Sequence, residues 1–301
     1  MVGQSAGRQP IGAKVTRGWP HLGRTGQRRL GDAVTYGILL LGLSFTLLPF
    51  VWMLSASLKP ESKILVFPPR MWPDPWTWEN YRYVLQETLF PRWVMNSLLI
   101  CCITVSAHLI SGSLVAFGFA RLRFPGRNVL FMIVLSTMMI PFQAYMIPRF
   151  KIIQWLGLLN TLLAVVLPYL FGSPFYIFLM RQYYMTLPLE LDDAARIDGC
   201  NTFQIYLRIL LPLTKPILAT VAVLEFLAAW NSFLEPLIYL NSMENYTVSL
   251  GLSLFRQGWG GMIHWGPLMA STALSTLPPL IVCFAAQKQL AGGIAVTGIR
   301  G

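Results

Sequence analysis

WVMNSLLICCITVSAHLISGSLVAFGFA, residues 93–120, contains no Asp, Glu, Lys or Arg. A helix needs roughly 20 apolar residues to cross a ~30 Å hydrocarbon core, and this run is longer than that. Its one histidine, His108, reads as a neutral, hydrogen-bonded helix residue rather than a ligand or proton relay. Comparable charge-free windows lie on either side, at 33–58, 128–148, 152–180 and 257–287. The last opens on an interfacial GWGGMIHWGP, which places its helix at about 267–287. A further apolar stretch, 209–240, is interrupted only by Lys215, Glu225 and Glu235. The count is six spans, and an even number puts both termini on one side.

Composition agrees with that count. Of 301 residues, 55% are hydrophobic and 12% are charged, about half the charged share of a soluble domain. The mean hydropathy is +0.56. A water-soluble enzyme and a disordered chain are both excluded. The net charge of +11 invites a nucleic-acid reading, but the basic residues fall in the inter-span segments. With the amino terminus inside, fifteen of the 23 lie on the inner side, as cytoplasmic loops require. They read as a topology signal, with no nucleic acid as partner. Residues 1–32 are rich in Gly, Arg and Gln and read as a disordered cytoplasmic tail. The apolar stretch that follows exceeds the core of a cleavable signal peptide.

The outer segment 59–92 carries six prolines and Trp72, Trp76 and Trp78, with Trp93 just beyond. Such rings sit at headgroup level or meet a partner, and composition leaves both readings open. Four cysteines, with Cys101 and Cys102 adjacent inside a span, make no disulfide framework. No G-x-x-x-x-G-K-[ST] loop, zinc spacing, G-x-S-x-G or H-E-x-x-H is present. The expectation is therefore a chain with no catalytic residue, metal or cofactor of its own.

The inner loop after the fourth span reads TLPLELDDAARIDGCNTFQIYLRILLP, residues 186–212. Pro188 suits a first helical position, and Glu190, Asp192 and Asp193 put negative charge at the positive end of a helix. Ala194 and Ala195 offer a small surface for close approach. Asp198-Gly199 predicts a stop. A second short helix, from about Asn201 to Leu211, then carries Phe203, Ile205, Tyr206 and Ile209. Such a pair could fill a groove on another protein, or lie as an amphipathic turn at the interface.

This segment resembles the cytoplasmic signature of bacterial ABC importer permeases, in which Glu-Ala-Ala is followed at fixed spacing by Gly and then by Ile-x-Leu-Pro. Here the positions are Asp193-Ala194-Ala195, Gly199 and Ile209-Leu210-Leu211-Pro212. Asp193 keeps the charge of the motif's glutamate but is one methylene shorter. The resemblance runs from about residue 33 and is closest to carbohydrate importers, in particular the smaller permease of maltose-type systems. Asn96-Ser97, the segment 120–126, Trp230-Asn231, Pro236-Leu237 and the tail 292–301 share that likeness.

The resemblance implies an all-α integral membrane protein of the type I importer fold, with domains 1–32, 33–287 and 288–301. It also implies a second permease, most simply a heterodimeric partner, and two ATP-binding subunits that hold ATP and Mg. An extracytoplasmic solute-binding protein would deliver a sugar, and the setting would be the bacterial inner membrane. ATPase coupling falls to residues 188–208 through Glu190, Asp193, Ala194, Ala195, Asp198, Gly199 and Phe203. The tail, with Gly292, Gly293, Gly298 and Gly301, would reach between the ATPases. Glycerol phosphate esters or another small solute remain alternative cargoes.

Carboxylates within spans are costly and usually face a cavity or a partner. Glu225, Trp230 and Asn231 read as lining the translocation path. For Glu225 a structural hydrogen bond is the equal alternative, and Glu235 reads as an interfacial residue beside Pro236. A proton-coupled carrier would use Glu225 as a relay, but it leaves the 186–212 segment unexplained.

Overall fold

Proline and left-handed residues decide where this helical chain bends. The computed structural model describes residues 24–257 and 263–298. Its helices are α1 Arg24–Ser57, α2 Glu79–Gln86, α3 Phe90–Ala107, α4 Ser113–Arg121, α5 Arg127–Ser136, α6 Phe142–Trp155, α7 Leu162–Val166 and α8 Pro174–Thr186. They continue as α9 Glu190–Ile197, α10 Thr202–Gln204, α11 Leu211–Leu213, α12 Lys215–Trp230, α13 Leu234–Tyr239, α14 Val248–Gln257 and α15 Trp265–Gly298. No strand forms among the described residues.

Among the described residues, four helical runs are long and apolar enough to cross a membrane: Gly31–Ser57, Phe90–Arg121, Leu162–Thr186 and Trp265–Gln287. The number is six if each of two bent pairs counts as one span. The window expected as a single span at 128–148 is one of these pairs, bent by 97° between Arg127–Met139 and Phe142–Trp155. The cause is Pro141. It has no N–H to donate, and it pushes Ile140 into extended backbone at φ −82° and ψ 114°. The window expected at 152–180 also starts later, at Leu162. Gly157 at φ +69° and Asn160 at φ +63° turn the chain first, a conformation glycine and asparagine tolerate best. The second bend, 77°, separates Thr202–Leu213 from Lys215–Trp230.

The chain divides into two units, 1–51 and 52–301. In the first, α1 starts at Arg24, inside the stretch read as a tail, and residues 1–23 lie outside the described residues. Thr35 and Thr46 donate their hydroxyls to the carbonyls of Gly31 and Gly42 one turn back, at 2.9 and 2.8 Å. Each hydroxyl is thereby satisfied within its own helix.

In the second unit three buried clusters organise the spans. One gathers Phe117, Tyr176, Met180, Tyr184, Tyr206 and Leu210 from α4, α8 and the segment after α9. The others centre on Trp93 with Trp230 and Phe255, and on Val165 with Tyr239. Packing around Trp93 is close: a Cβ on Gly251 would lie 2.1 Å from its ring. The segment before α2 is tied to distant chain. Asn80 donates to the carbonyls of Ser57 and Lys59, and the Glu61 carboxylate accepts the backbone N–H groups of Trp265 and Gly266, both at 2.7 Å. Trp72, Trp76 and Trp78 remain exposed.

Candidate functional site

The expected coupling segment forms as a compact pair of turns. Leu187 leaves α8 in extended backbone, and α9 follows with Glu190, Asp192 and Asp193 in its first turn. Their charge offsets the positive end of the helix. The helix stops through two reciprocal bonds. Cys200 N–H donates to the Ala195 carbonyl at 2.9 Å, and Gly199 N–H donates to that of Arg196 at 3.0 Å. This is the Schellman arrangement, which demands a left-handed residue, and Gly199 has φ +80°. No atom stands within 4 Å of a Cβ added there, so the constraint is conformational rather than spatial.

The next turn starts on a capping box. Asn201 Oδ1 accepts from Gln204 N–H at 2.9 Å, and Gln204 Oε1 accepts from Asn201 N–H at 2.8 Å. A π-helical turn, Ile205–Leu210, then leads through α11 to α12.

Burial divides the signature residues. Glu190, Asp193, Ala194, Asp198 and Gly199 are exposed, as are Ile197 at 87% and Phe203 at 58%. Ala195 is turned inward, 5% exposed, against Ile205, Tyr206 and Tyr184. The small surface expected from both alanines is therefore offered by Ala194 alone, because residues one apart on a helix face different ways. Ile197 was not singled out from the sequence, although it falls at i+3 and i+4 from Ala194 and Asp193. Tyr206 anchors the pair from within, its hydroxyl 2.7 Å from Ser113 Oγ on α4.

Asp192 was read only as a dipole partner. It is 5% exposed, with Arg121 Nη1 at 3.7 Å. Burial pushes its carboxyl above the usual carboxylate range, against the opposing pull of Arg121 and Arg196.

A second polar group lies inside the apolar helices. Glu225 on α12 is 5% exposed, with His108 Nδ1 at 3.8 Å and Thr104 and Tyr176 beside it. His108 Nδ1 donates to the Thr104 carbonyl at 2.8 Å, as expected of a hydrogen-bonded helix histidine. Glu235, on α13, is 6% exposed. Its Oε1 accepts from Arg149 Nη1 at 2.8 Å and from Tyr169 Oη at 2.6 Å. The sequence hid this pairing because Arg149 lies 86 residues away. Glu225 and Glu235 share a small cavity of about 70 Å³ with Thr104, Tyr169 and Ser232. Trp230 is buried and donates Nε1–H to the Ser275 carbonyl at 3.1 Å, whereas Asn231 is exposed. The described residues hold no group of three His, Cys, Asp or Glu placed to bind a metal.

The glycine tail is helical as far as it is described. α15 continues through Gly292 and Gly293 to Gly298, while 299–301 lie outside the described residues.

The family model for binding-protein-dependent transport system inner membrane components matches residues 109–296, which contain α9, both carboxylates and most of α15. The chain belongs to this family. It is thus an integral membrane ABC importer permease, a class of subunit that is generally non-catalytic. The permease is 35% identical over 272 residues to the arabinooligosaccharides transport system permease protein AraQ of Bacillus subtilis (strain 168), covering 89% of this chain and 95% of that one. It is 34% identical to the lactose transport system permease protein LacG of Rhizobium radiobacter, covering 89% and 96%. Among solved structures it is similar to a bacterial ABC transporter involved in the import of the acidic polysaccharide alginate. That match has a TM-score of 0.80 and 25% identity, and covers 90% of this permease and 100% of that chain.

Proposed function

We propose that this permease forms half of the translocation pathway of an ATP-driven importer that takes a disaccharide or short oligosaccharide from an extracytoplasmic binding protein. The carrying observation is the division of the coupling segment: Ala195 is rooted in the chain's own core while Ala194 and Ile197 on α9 and Phe203 on α10 face outward. A short helix rooted on one side, with Ala194 and Ile197 exposed among charges on the other, suits the groove of a second protein. In this reading that protein is an ATPase, one of two, which bind ATP and Mg. The sugar class rests on the relatives' named cargoes. A second, different permease completes the path in the inner membrane, with both termini of this chain cytoplasmic. Glu225, Trp230 and Asn231 lie along or beside the path, and residues 292–301 reach the ATPase pair.

Reconstitution with both permeases, the ATPases and the binding protein tests this. The expected result is uptake of arabinooligosaccharides or lactose that needs ATP and binding protein. Ala194→Trp should release the ATPases and abolish uptake while the permease still inserts. Removing 292–301 should impair stimulated ATP hydrolysis with insertion unchanged. Uptake driven by a proton gradient without ATPases would overturn the reading in favour of a carrier that uses Glu225.

A further inference from the structure

The last residue of α4, Arg121, read from the sequence as a topology signal and as part of the 120–126 likeness, points inward. Its side chain is 2% exposed. Nη2 donates to the carbonyls of Tyr184 and Leu187, both at 2.9 Å, and Nη1 stands 3.7 Å from Asp192 Oδ2. These three groups belong to three consecutive pieces of chain. Tyr184 is in the last turn of α8, where carbonyls lack partners within the helix. Leu187 is the extended residue that turns the chain, and Asp192 is in the first turn of α9.

A planar guanidinium carries donors in a fixed fork and stays charged: Nη2 bonds both carbonyls, and Nη1 faces Asp192 at ion-pair rather than hydrogen-bond distance. A positive charge at a helix C-terminus is favourable in itself. A second link runs alongside, from Arg181 Nε on α8 to the Phe119 carbonyl on α4 at 3.3 Å. The partner-facing residues of α9 are elsewhere on the helix, so Arg121 leaves them free.

We infer that Arg121 is a positioning residue for energy coupling, fixing α9 to the ends of α4 and α8 so that a displacement of α9 moves both spans together. Without it, the eight residues of α9 would keep the packing around Ala195 and the Tyr206–Ser113 anchor of the turn that follows, and could swing about Leu187 and Pro188. The inference rests on the reading of α9 as the ATPase contact.

The test uses the full complex in nanodiscs and proteoliposomes with its binding protein, and a mixture of arabinooligosaccharides and lactose as probe. Arg121→Gln keeps a donor but loses the charge and the fork. Arg121→Lys keeps the charge and loses the fork. With ATPase association intact, sugar transported per ATP hydrolysed should fall at least tenfold in Arg121→Gln and by an intermediate factor in Arg121→Lys. Asp192→Asn should lower it least, since burial already disfavours that carboxylate's charge. An unchanged ratio in Arg121→Gln overturns the inference. So does failure of both Arg121 variants to insert, which would make the residue one of folding alone. Ala194→Trp separates the two readings. If it leaves ATPase association and uptake at wild-type level, the docking role of α9 fails. If it releases the ATPases while Arg121→Gln keeps the wild-type ratio, only the role of Arg121 fails.

Discussion

The coupling segment and the buried carboxylates are two polar regions of the second unit, and they are built differently. Around α9 the carboxylates of Glu190, Asp193 and Asp198 face outward while Asp192 is held inside beside Arg121, and an apolar side chain, Ile197, is left without cover. Around Glu235 the charges are paired within the chain, with Arg149 and Tyr169 at hydrogen-bond distance. On the proposed reading the first arrangement is incomplete without another protein; the second closes the Glu235–Arg149 ion pair within the chain. Substitutions should therefore separate the regions, costing stability in the interior and transport at α9.

The largest expected effect is Glu235→Ala. It strands the Arg149 charge among apolar helices, and breaking a buried pair costs roughly 3–5 kcal/mol. The detergent-purified permease should lose its cooperative thermal transition or fail to accumulate. A thermal midpoint equal to wild type would remove the distinction between closed and incomplete regions. Next comes Gly199→Val, which forces a β-branched residue to φ +80° at about 1–3 kcal/mol of strain. Uptake should fall severalfold or more with membrane insertion kept, and wild-type uptake would show that the turn does not set α9.

Glu225→Gln sharpens the comparison from the interior side. It keeps the shape and removes the charge, so a path role predicts impaired uptake with little change in thermal midpoint. Lost stability with uptake per folded molecule unchanged would place Glu225 with Glu235 as structure only. The smallest effect is Asn201→Ala, which removes the side-chain cap and should cost about 1 kcal/mol. Its sign is local: increased amide exchange over 201–206, with the spans unaffected.

The same contrast explains what could be read in advance. The devices that start and stop the turns of the coupling segment are local: acids in the first turn of α9, Gly199 at its end, the box of Asn201 and Gln204. Residues within five positions of one another suffice, so the linear sequence displays them. Ala195 was misjudged because spacing along a helix shows which residues share a face but not which face is covered. The interior cluster joins Arg149 to Glu235 and His108 to Glu225 across distant helices, and no short window contains either pair. The bend at Pro141 was available from the sequence, since proline marks it, but an unbroken apolar composition masked it. Arg121 was the least legible, because an arginine that ends a span looks the same whether it meets water or two carbonyls.

Glu61 carries a consequence for how the molecule is made. Its carboxylate holds two amides at the start of α15, more than two hundred residues later in the chain. During synthesis those amides emerge only after α2–α14 have been made, so Glu61 and its loop wait with this bond unmade through nearly all of the assembly. The contact is thus a closing clasp, formed once the segment that begins at Trp265 is in place. A variant such as Glu61→Gln, with an acceptor but no charge, would leave earlier steps alone and weaken the final one, so its defect belongs to maturation rather than to insertion.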